Sequence, residues 1–230
     1  MELLPREKIS KGDLRPRWAI LKSIEEYERF INDDTEHPHI IKGTLLHVGL
    51  AHFYKRKMAE QNGENPDNWY KPIIAMKIHA EQNGWVEHIE PCIQTLLHYI
   101  KHWEKEDIKI LDVEIDTWTQ IAWWQVTARF DLLIEDKHGK IWIVDHKTTS
   151  NLRDNAIAYY SSQPQLLAYA YLGQEFYKEK FGGVIVNILQ HPTPKFLRAE
   201  LQQPKEEIAK IPEMVDVAHT MMINYDMRIC

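Results

Sequence analysis

Cysteine is scarce in this chain. Two cysteines, Cys92 and Cys230, occur among 230 residues. Two cysteines cannot build a disulfide framework, and they are too few for a four-cysteine metal site. We therefore expect a reduced, cytoplasmic protein.

Long apolar segments are also missing. The sequence has no apolar run of about 18 residues, so we expect no transmembrane helix. Its start, MELLPREKISKGD, lacks the apolar core of a secretory signal peptide. The sequence therefore predicts neither a transmembrane helix nor a secretory signal peptide.

An excess of positive charge is absent as well. The formal net charge is -6 at pH 7, whereas general DNA-binding proteins usually carry a basic surface. The charge does not exclude a nucleic-acid partner, because a carboxylate-rich metal site is negative until it is loaded. The P-loop pattern Gly-x-x-x-x-Gly-Lys-Ser/Thr is also missing, which excludes a P-loop motor in this chain.

The composition that remains is that of a soluble globular protein, with 44% apolar and 27% charged residues. This length fits one domain over residues 1–230. Within it we expect a helical insertion at about 62–106 and a C-terminal helical extension at about 203–230.

The most informative stretch is residues 126–150, which predicts a β-hairpin. Val126, Ala128, Phe130, Leu132 and Ile134 alternate with a more polar set that contains Arg129 and Asp131. Residues 141–148 are rich in β-branched and aromatic side chains, which favours a second strand. A three-residue loop with a left-handed Gly139 would pair Asp136 with Lys140.

That register places Asp131 directly opposite Asp145, with Lys147 on the same face as Asp145. Two opposed carboxylates repel each other unless a cation lies between them, and a divalent metal satisfies this need. Hard oxygen ligands favour magnesium or manganese. Lys147 could then hold an attacking water and offset the charge that develops on a phosphate. The alternative is a salt bridge between Lys147 and an aspartate on a solvated face.

Helices are predicted on both sides of this hairpin. Residues 20–32 have apolar positions at helical spacing, and a second helix is expected from an N-cap at Thr44 to about Gln61. This places His47 in the first turn. Helices are also expected at about 74–82, 89–106, 161–177 and 205–225. Gln165 and Tyr169, four residues apart, then share one helical face.

Further strands are predicted at 108–118, 184–189 and 195–201. Glu114 lies in the first of them. Helices and strands in this order indicate an α/β (α+β) fold with a mixed central β-sheet flanked by helices.

Four motifs follow one another in order: Gly43-Thr-x-x-His47 on a helix, Asp131 in a strand, Asp145-x-Lys147-Thr on the next strand, and Gln165-x-x-x-Tyr169 on the following helix. Together they resemble the PD-(D/E)xK nuclease superfamily, in particular its RecB-like branch, which is similar to CRISPR-associated and phage exonucleases. The resemblance covers residues 43–190. It implies a restriction-endonuclease-like core.

The resemblance also implies a role for each matching residue. His47, Asp131 and Asp145 correspond to metal ligands, and the main-chain carbonyl of His146 would supply a further oxygen. Lys147 corresponds to the catalytic lysine. Gln165 and Tyr169 correspond to a motif that holds the DNA backbone or the lysine, while Glu114 occupies a strand in which relatives often have an acid.

The function implied is that of a Mg²⁺- or Mn²⁺-dependent deoxyribonuclease, as an exonuclease in DNA recombination, repair or phage DNA processing. The alternatives are a structure-specific endonuclease and a non-catalytic DNA-binding module. Many RecB-like members carry a four-cysteine iron–sulfur cluster, which this chain cannot form. DNA is the expected partner, together with a homo-oligomer or a recombination protein.

Overall fold

The computed structural model describes residues 37–66, 68–121 and 124–229. The helix predicted at 20–32 lies outside these residues. In chain order the elements are α1 (Pro38–Gln61), α2 (Lys71–Asn83), α3 (Ile89–Trp103), β1 (Lys109–Ile121), β2 (Trp124–Glu135), β3 (Ile141–Thr149), α4 (Ala156–Ser161), α5 (Pro164–Tyr177), β4 (Phe181–Gln190), β5 (Lys195–Glu200), α6 (Lys205–Ala209) and α7 (Ile211–Ile229), with short 3-10 turns at Val86–His88 and Lys178–Lys180.

The five strands form one mixed sheet in the order β1-β2-β3-β4-β5. Strands β3 and β4 run parallel, and the other neighbours run antiparallel. The parallel pair requires a crossover, which α4 and α5 supply. The predicted α/β class, with a mixed sheet flanked by helices, is confirmed.

Each face of the sheet buries its own hydrophobic core, as a helix-covered sheet must. On the α1–α3 face the cluster includes Leu45, Leu46, Leu50, Tyr54, Leu96, Tyr99, Leu132, Ile134, Val144 and Ile185. On the α5–α7 face it includes Phe130, Leu133, Ile143, Leu166, Leu167, Val184, Val186, Ile188, Ile211 and Val215.

The β2–β3 hairpin has the predicted register from Leu132 to Glu135, but the pairing ends at Leu132 and Val144, so the expected pairing of Asp131 with Asp145 does not form. Leu132 pairs with Val144 and Glu135 with Ile141, and the Asp136 main-chain N–H donates to the Lys140 carbonyl at 2.9 Å. Gly139 has φ 75°, the left-handed conformation that this turn requires.

The predicted alternation along β2 is wrong at its centre. Phe130 packs in the α5–α7 core, whereas Leu132 and Ile134 pack in the α1–α3 core. The strand therefore changes its buried face around Asp131. The neighbouring β1 is irregular at the same level, because Glu114 has φ 57°, a conformation that side-chain-bearing residues rarely adopt.

The predicted start of the first described helix is also wrong. Helix α1 begins at Pro38 rather than after Thr44, because proline suits the first turn of a helix. Thr44 lies inside the helix, where its hydroxyl donates to the Ile40 carbonyl at 3.1 Å. His47 consequently lies beyond the first turn.

Candidate active site

Three elements bring one histidine and two acids together. His47 comes from α1, Glu114 from β1 and Asp131 from β2. One ligand atom from each lies within 4.8 Å of the other two, and all three residues are partly buried. We call these three residues the metal cluster.

Asp131 is held in the metal cluster from two sides. Its Oδ2 accepts a 2.7 Å hydrogen bond from the main-chain N–H of His146, and its Oδ1 lies 3.6 Å from Nδ1 of His47. Burial raises the pKa of Asp131, but the positive potential of His47 and the hydrogen bonds outweigh burial and lower the pKa to about 2. Asp131 is therefore an ionised carboxylate at neutral pH.

The pKa of His47 shifts in the opposite direction to that of Asp131. Burial lowers the pKa of its imidazole, but the charges of Asp131 and Asp145 outweigh burial, so the pKa is raised above the ordinary value. For Glu114, burial and the charge of Asp131 both raise the carboxyl pKa. Negative charge contributes to both shifts, and a cation between the three side chains would relieve it.

The donor set of the metal cluster fits a divalent metal. Two carboxylates supply hard oxygen ligands, as magnesium and manganese prefer, and the imidazole nitrogen is compatible with manganese. Burial is the larger cause of the raised pKa of Glu114, and the charge of Asp131 adds to it. The sequence alone predicts Glu114 in a strand but assigns it no definite role.

A second group, which we call the lysine cluster, consists of Asp145, Lys147, Gln165 and Tyr169. Lys147 Nζ lies 2.7 Å from Asp145 Oδ2 and donates to Gln165 Oε1 at 2.9 Å. The Gln165 amide donates to Tyr169 Oη at 3.0 Å and to Asp145 Oδ1 at 3.4 Å. Tyr169 in turn donates to the Arg129 carbonyl at 2.6 Å, which ties helix α5 to strand β2.

The lysine cluster contains two buried groups of opposite charge, the Asp145 carboxylate and the Lys147 ammonium. Burial raises the pKa of Asp145 to about 6, with the charge of Asp131 adding to the rise and Lys147 opposing it. Burial lowers the pKa of Lys147, but Asp145 and Asp131 outweigh burial, so the pKa is raised and the ammonium stays protonated. The two aspartates thus have pKa values that are pushed apart, which is common where acids share catalytic work.

The structure therefore distributes the predicted residues over two adjoining groups. His47 and Asp131 lie in the metal cluster with Glu114, while Asp145 is paired with Lys147. The two groups interact electrostatically, since the charge of Asp131 raises the pKa of Asp145 and the charge of His47 lowers it.

His146 links the two groups, because it lies between Asp145 and Lys147 on β3. Its main chain contacts Asp131, and its side chain is buried. Burial lowers the pKa of the imidazole to about 3, so the ring is neutral. The ring nitrogen Nδ1 lies 2.8 Å from Asn187 Nδ2, a contact that sequence reasoning missed because Asn187 is distant in the chain.

The family model that describes the PD-(D/E)XK nuclease superfamily matches residues 16–229. The chain belongs to the PD-(D/E)XK nuclease superfamily. Members of this superfamily are nucleases, which are hydrolases acting on nucleic acids, and they use divalent metals. The sequence Asp145-His146-Lys147 fits the (D/E)XK pattern in the name of the superfamily.

Two solved structures that match the chain are distant from it in sequence. A "putative exonuclease" from Eubacterium rectale is 9% identical, with a TM-score of 0.52, over 97% of this chain and 86% of that chain. A protein designated SSO0001 is 14% identical, with a TM-score of 0.40, over 79% of this chain and 84% of that chain. Among curated proteins none matches the chain.

Within residues 37–66, 68–121 and 124–229, no helix is long and apolar enough to cross a membrane.

Proposed function

We propose that this chain is a divalent-metal-dependent deoxyribonuclease that hydrolyses phosphodiester bonds as an exonuclease. The observation that carries the proposal is the juxtaposition of the metal cluster with the lysine cluster, in which a buried, protonated lysine lies beside a carboxylate whose pKa is raised. An isolated surface salt bridge would not be expected to adjoin a histidine and two further acids.

His47, Glu114 and Asp131 would hold the metal ion, with Asp145 and the His146 carbonyl available as further ligands. A bound divalent metal polarises a phosphate oxygen and lowers the pKa of a bound water. The acidic surroundings of the cluster would favour metal binding at neutral pH, because Asp131 is already ionised.

Lys147 would act on the reacting phosphate. Its ammonium is protonated and is oriented by Asp145 and Gln165. A fixed positive charge of this kind stabilises negative charge that develops in a transition state and can hold an attacking water by a hydrogen bond. Gln165 and Tyr169 would keep the lysine from rotating away, since they join it to the main chain of β2.

The choice of an exonuclease has two supports. The four ordered motifs resemble the RecB-like branch, and the Eubacterium rectale protein of similar fold bears the name of an exonuclease. DNA is proposed as substrate because the members of that branch named above process DNA. The cellular setting would be recombination, repair or phage DNA processing in the cytoplasm, with a homo-oligomer or a recombination protein as partner.

The decisive experiment compares end-labelled linear DNA with covalently closed circular DNA. Each substrate is incubated with the wild type, with Lys147→Ala and with Lys137→Ala, in Mn²⁺, in Mg²⁺ and in chelator. Lys137 is an exposed lysine in the turn before β3, so its replacement is the matched control.

We expect the wild type and Lys137→Ala to degrade linear DNA only, and only with metal, while Lys147→Ala is inactive. Cutting of the circle would replace the exonuclease proposal with an endonuclease. Binding of DNA without cleavage by the wild type in either metal would make the chain a binding module.

A further inference from the structure

A chain of buried polar side chains leads from the edge strand β5 to the metal cluster. It begins at Arg198, whose Nη2 donates to Tyr54 Oη and to Tyr99 Oη, each at 2.8 Å. The two phenol oxygens are 2.6 Å apart. Both tyrosines are fully buried, so these hydrogen bonds are shielded from water.

The chain continues from Tyr99 across the sheet. Asn187 on β4 donates through Nδ2 to Tyr99 Oη at 2.8 Å, and the same Nδ2 lies 2.8 Å from Nδ1 of His146 on β3. The main-chain N–H of His146 then donates to Asp131. Arg198 is thereby connected to Asp131 of the metal cluster through three intervening residues, the last of which makes its contact through the main chain. We call Arg198, Tyr99, Asn187 and His146 the buried polar chain.

The far end of the buried polar chain is firmly anchored. The Arg198 guanidinium is ion-paired with Glu106 and lies 4.1 Å from the ring centroid of Trp103. The Arg198 side chain is only 8% exposed. Burying a guanidinium costs desolvation free energy, so Arg198 depends on its ion pair with Glu106 and on the two phenol oxygens that accept its hydrogen bonds.

At the near end, the imidazole of His146 is held from two directions. The Tyr54 ring stacks on it with centroids 5.6 Å apart and an interplanar angle of 14°, while Asn187 holds Nδ1. The main chain that these contacts fix lies between Asp145 and Lys147. It carries the N–H that orients Asp131, together with the carbonyl proposed as a metal ligand.

We propose that Tyr99 and Asn187 are positioning residues for the metal cluster. They couple the anchored Arg198 to His146 and so hold the main chain of His146, and with it the Asp131 carboxylate, in the geometry that binds metal. This inference rests on the proposed metal-dependent function. It concerns residues that neither touch the metal cluster directly nor belong to the four motifs.

Two tyrosines in the same cluster allow a matched test. Tyr99→Phe removes the hydroxyl that links Arg198 to Asn187. Tyr54→Phe removes an equally buried hydroxyl from the same arginine, but it leaves the path through Tyr99 intact and keeps a ring to stack on His146. The measurement is the Mn²⁺ dissociation constant of the full chain by isothermal titration calorimetry, below the melting temperature of every variant.

We expect Tyr99→Phe to bind Mn²⁺ about tenfold more weakly than the wild type, which is the lower range for residues that orient metal ligands. Tyr54→Phe should bind Mn²⁺ about as the wild type does, although it loses a similar amount of stability. Asn187→Leu, which removes the contact with His146 directly, should weaken Mn²⁺ binding at least as much as Tyr99→Phe. If Tyr99→Phe does not fold, Asn187→Leu carries the comparison alone.

Equal Mn²⁺ affinities for the two tyrosine variants, or an Asn187→Leu variant with wild-type affinity, would overturn the positioning role. The same data distinguish failure of the positioning role from failure of the nuclease proposal. A wild type that binds Mn²⁺ and cleaves DNA while the variants bind equally well refutes only the positioning role. A wild type that binds Mn²⁺ with the expected differences among variants, yet cleaves no DNA, refutes only the nuclease proposal.

Discussion

Lys147 and Asp145 lie two residues apart on one strand, and their charged atoms are 2.7 Å apart. Alternation along a strand puts both side chains on the same face, and burial strengthens the attraction between their charges. Gln165 then accepts a hydrogen bond from the same ammonium. The lysine is therefore oriented before any substrate arrives.

The first prediction concerns the orientation of this lysine. Gln165→Leu should lower kcat about tenfold, as loss of a group that positions a catalytic charge can do, because Lys147 loses its link to Tyr169. Mn²⁺ affinity should be nearly unchanged, since Gln165 does not belong to the metal cluster. Steady-state kinetics and calorimetry separate these two quantities. Gln174→Leu, an exposed position on the same helix, is the control, and an equal loss of kcat in both variants would contradict the prediction.

The second prediction tests whether Glu114 is a ligand. Glu114→Gln keeps the size of the side chain but removes its charge, so Mn²⁺ affinity should fall at least about tenfold. Glu135→Gln on β2 is a suitable comparison, because that carboxylate pairs with Lys109 at 3.4 Å instead of joining the metal cluster. Titration calorimetry that finds identical Mn²⁺ affinities for the two variants would remove Glu114 from the ligand set.

The third prediction concerns pH and stability. Burial lowers the pKa of His146 from 6.5 to about 3 in the folded protein. Between these values the unfolded chain binds a proton that the folded chain does not, so His146 makes the free energy of unfolding fall as the pH drops below 6.5, by up to about 1.4 kcal/mol per pH unit. His146→Phe removes this contribution.

The measurement is urea unfolding of the metal-free wild type and His146→Phe between pH 4.5 and 7.5. The wild type should lose stability relative to the variant as the pH falls. Taking the difference between the two proteins is necessary because Asp145 acts in the opposite sense: burial raises its pKa from 3.8 to about 6, so the folded protein gains stability as the pH drops through that range. A difference that does not change with pH would contradict the prediction.

The fourth prediction concerns the packing that supports His47. A Cβ on Gly49, two residues further along α1, would lie 2.6 Å from Met76 Sδ and 2.7 Å from Leu96 Cδ2. Gly49→Ala should therefore reduce the free energy of unfolding by about 1–3 kcal/mol, as overpacked cores do. Gly43→Ala places its Cβ 3.0 Å from one atom, Thr148 Oγ1, and should cost less. Urea unfolding of both variants provides the comparison, and equal stability of the two would show that the core adjusts to the added methyl group at Gly49.

Local patterns in the sequence were sufficient for part of the site. The turn around Gly139 fixed the β2–β3 register, because a short hairpin loop allows few pairings. Strand periodicity placed Asp145 and Lys147 together, and helical spacing placed Gln165 and Tyr169 together. The confirmed fold class and family follow from the same order of motifs.

Longer-range features could not be predicted in this way. Thr44 is a good capping residue and so predicts a helix start, but the residues before it continue the helix back to Pro38. The change of buried face near Asp131 has no signature in an alternating pattern, since both faces of the sheet are apolar and accept either register of side chains.

By itself, then, the sequence determined the hairpin, the paired aspartate and lysine, and the order of elements, all of which depend on neighbours within a few residues. Only the tertiary structure decided that Glu114 joins His47 and Asp131, and that Arg198 reaches His146 through Tyr99 and Asn187. These contacts join strands and helices that lie far apart in the chain. The packing of both cores against the sheet brings them together, and no local spacing encodes that packing.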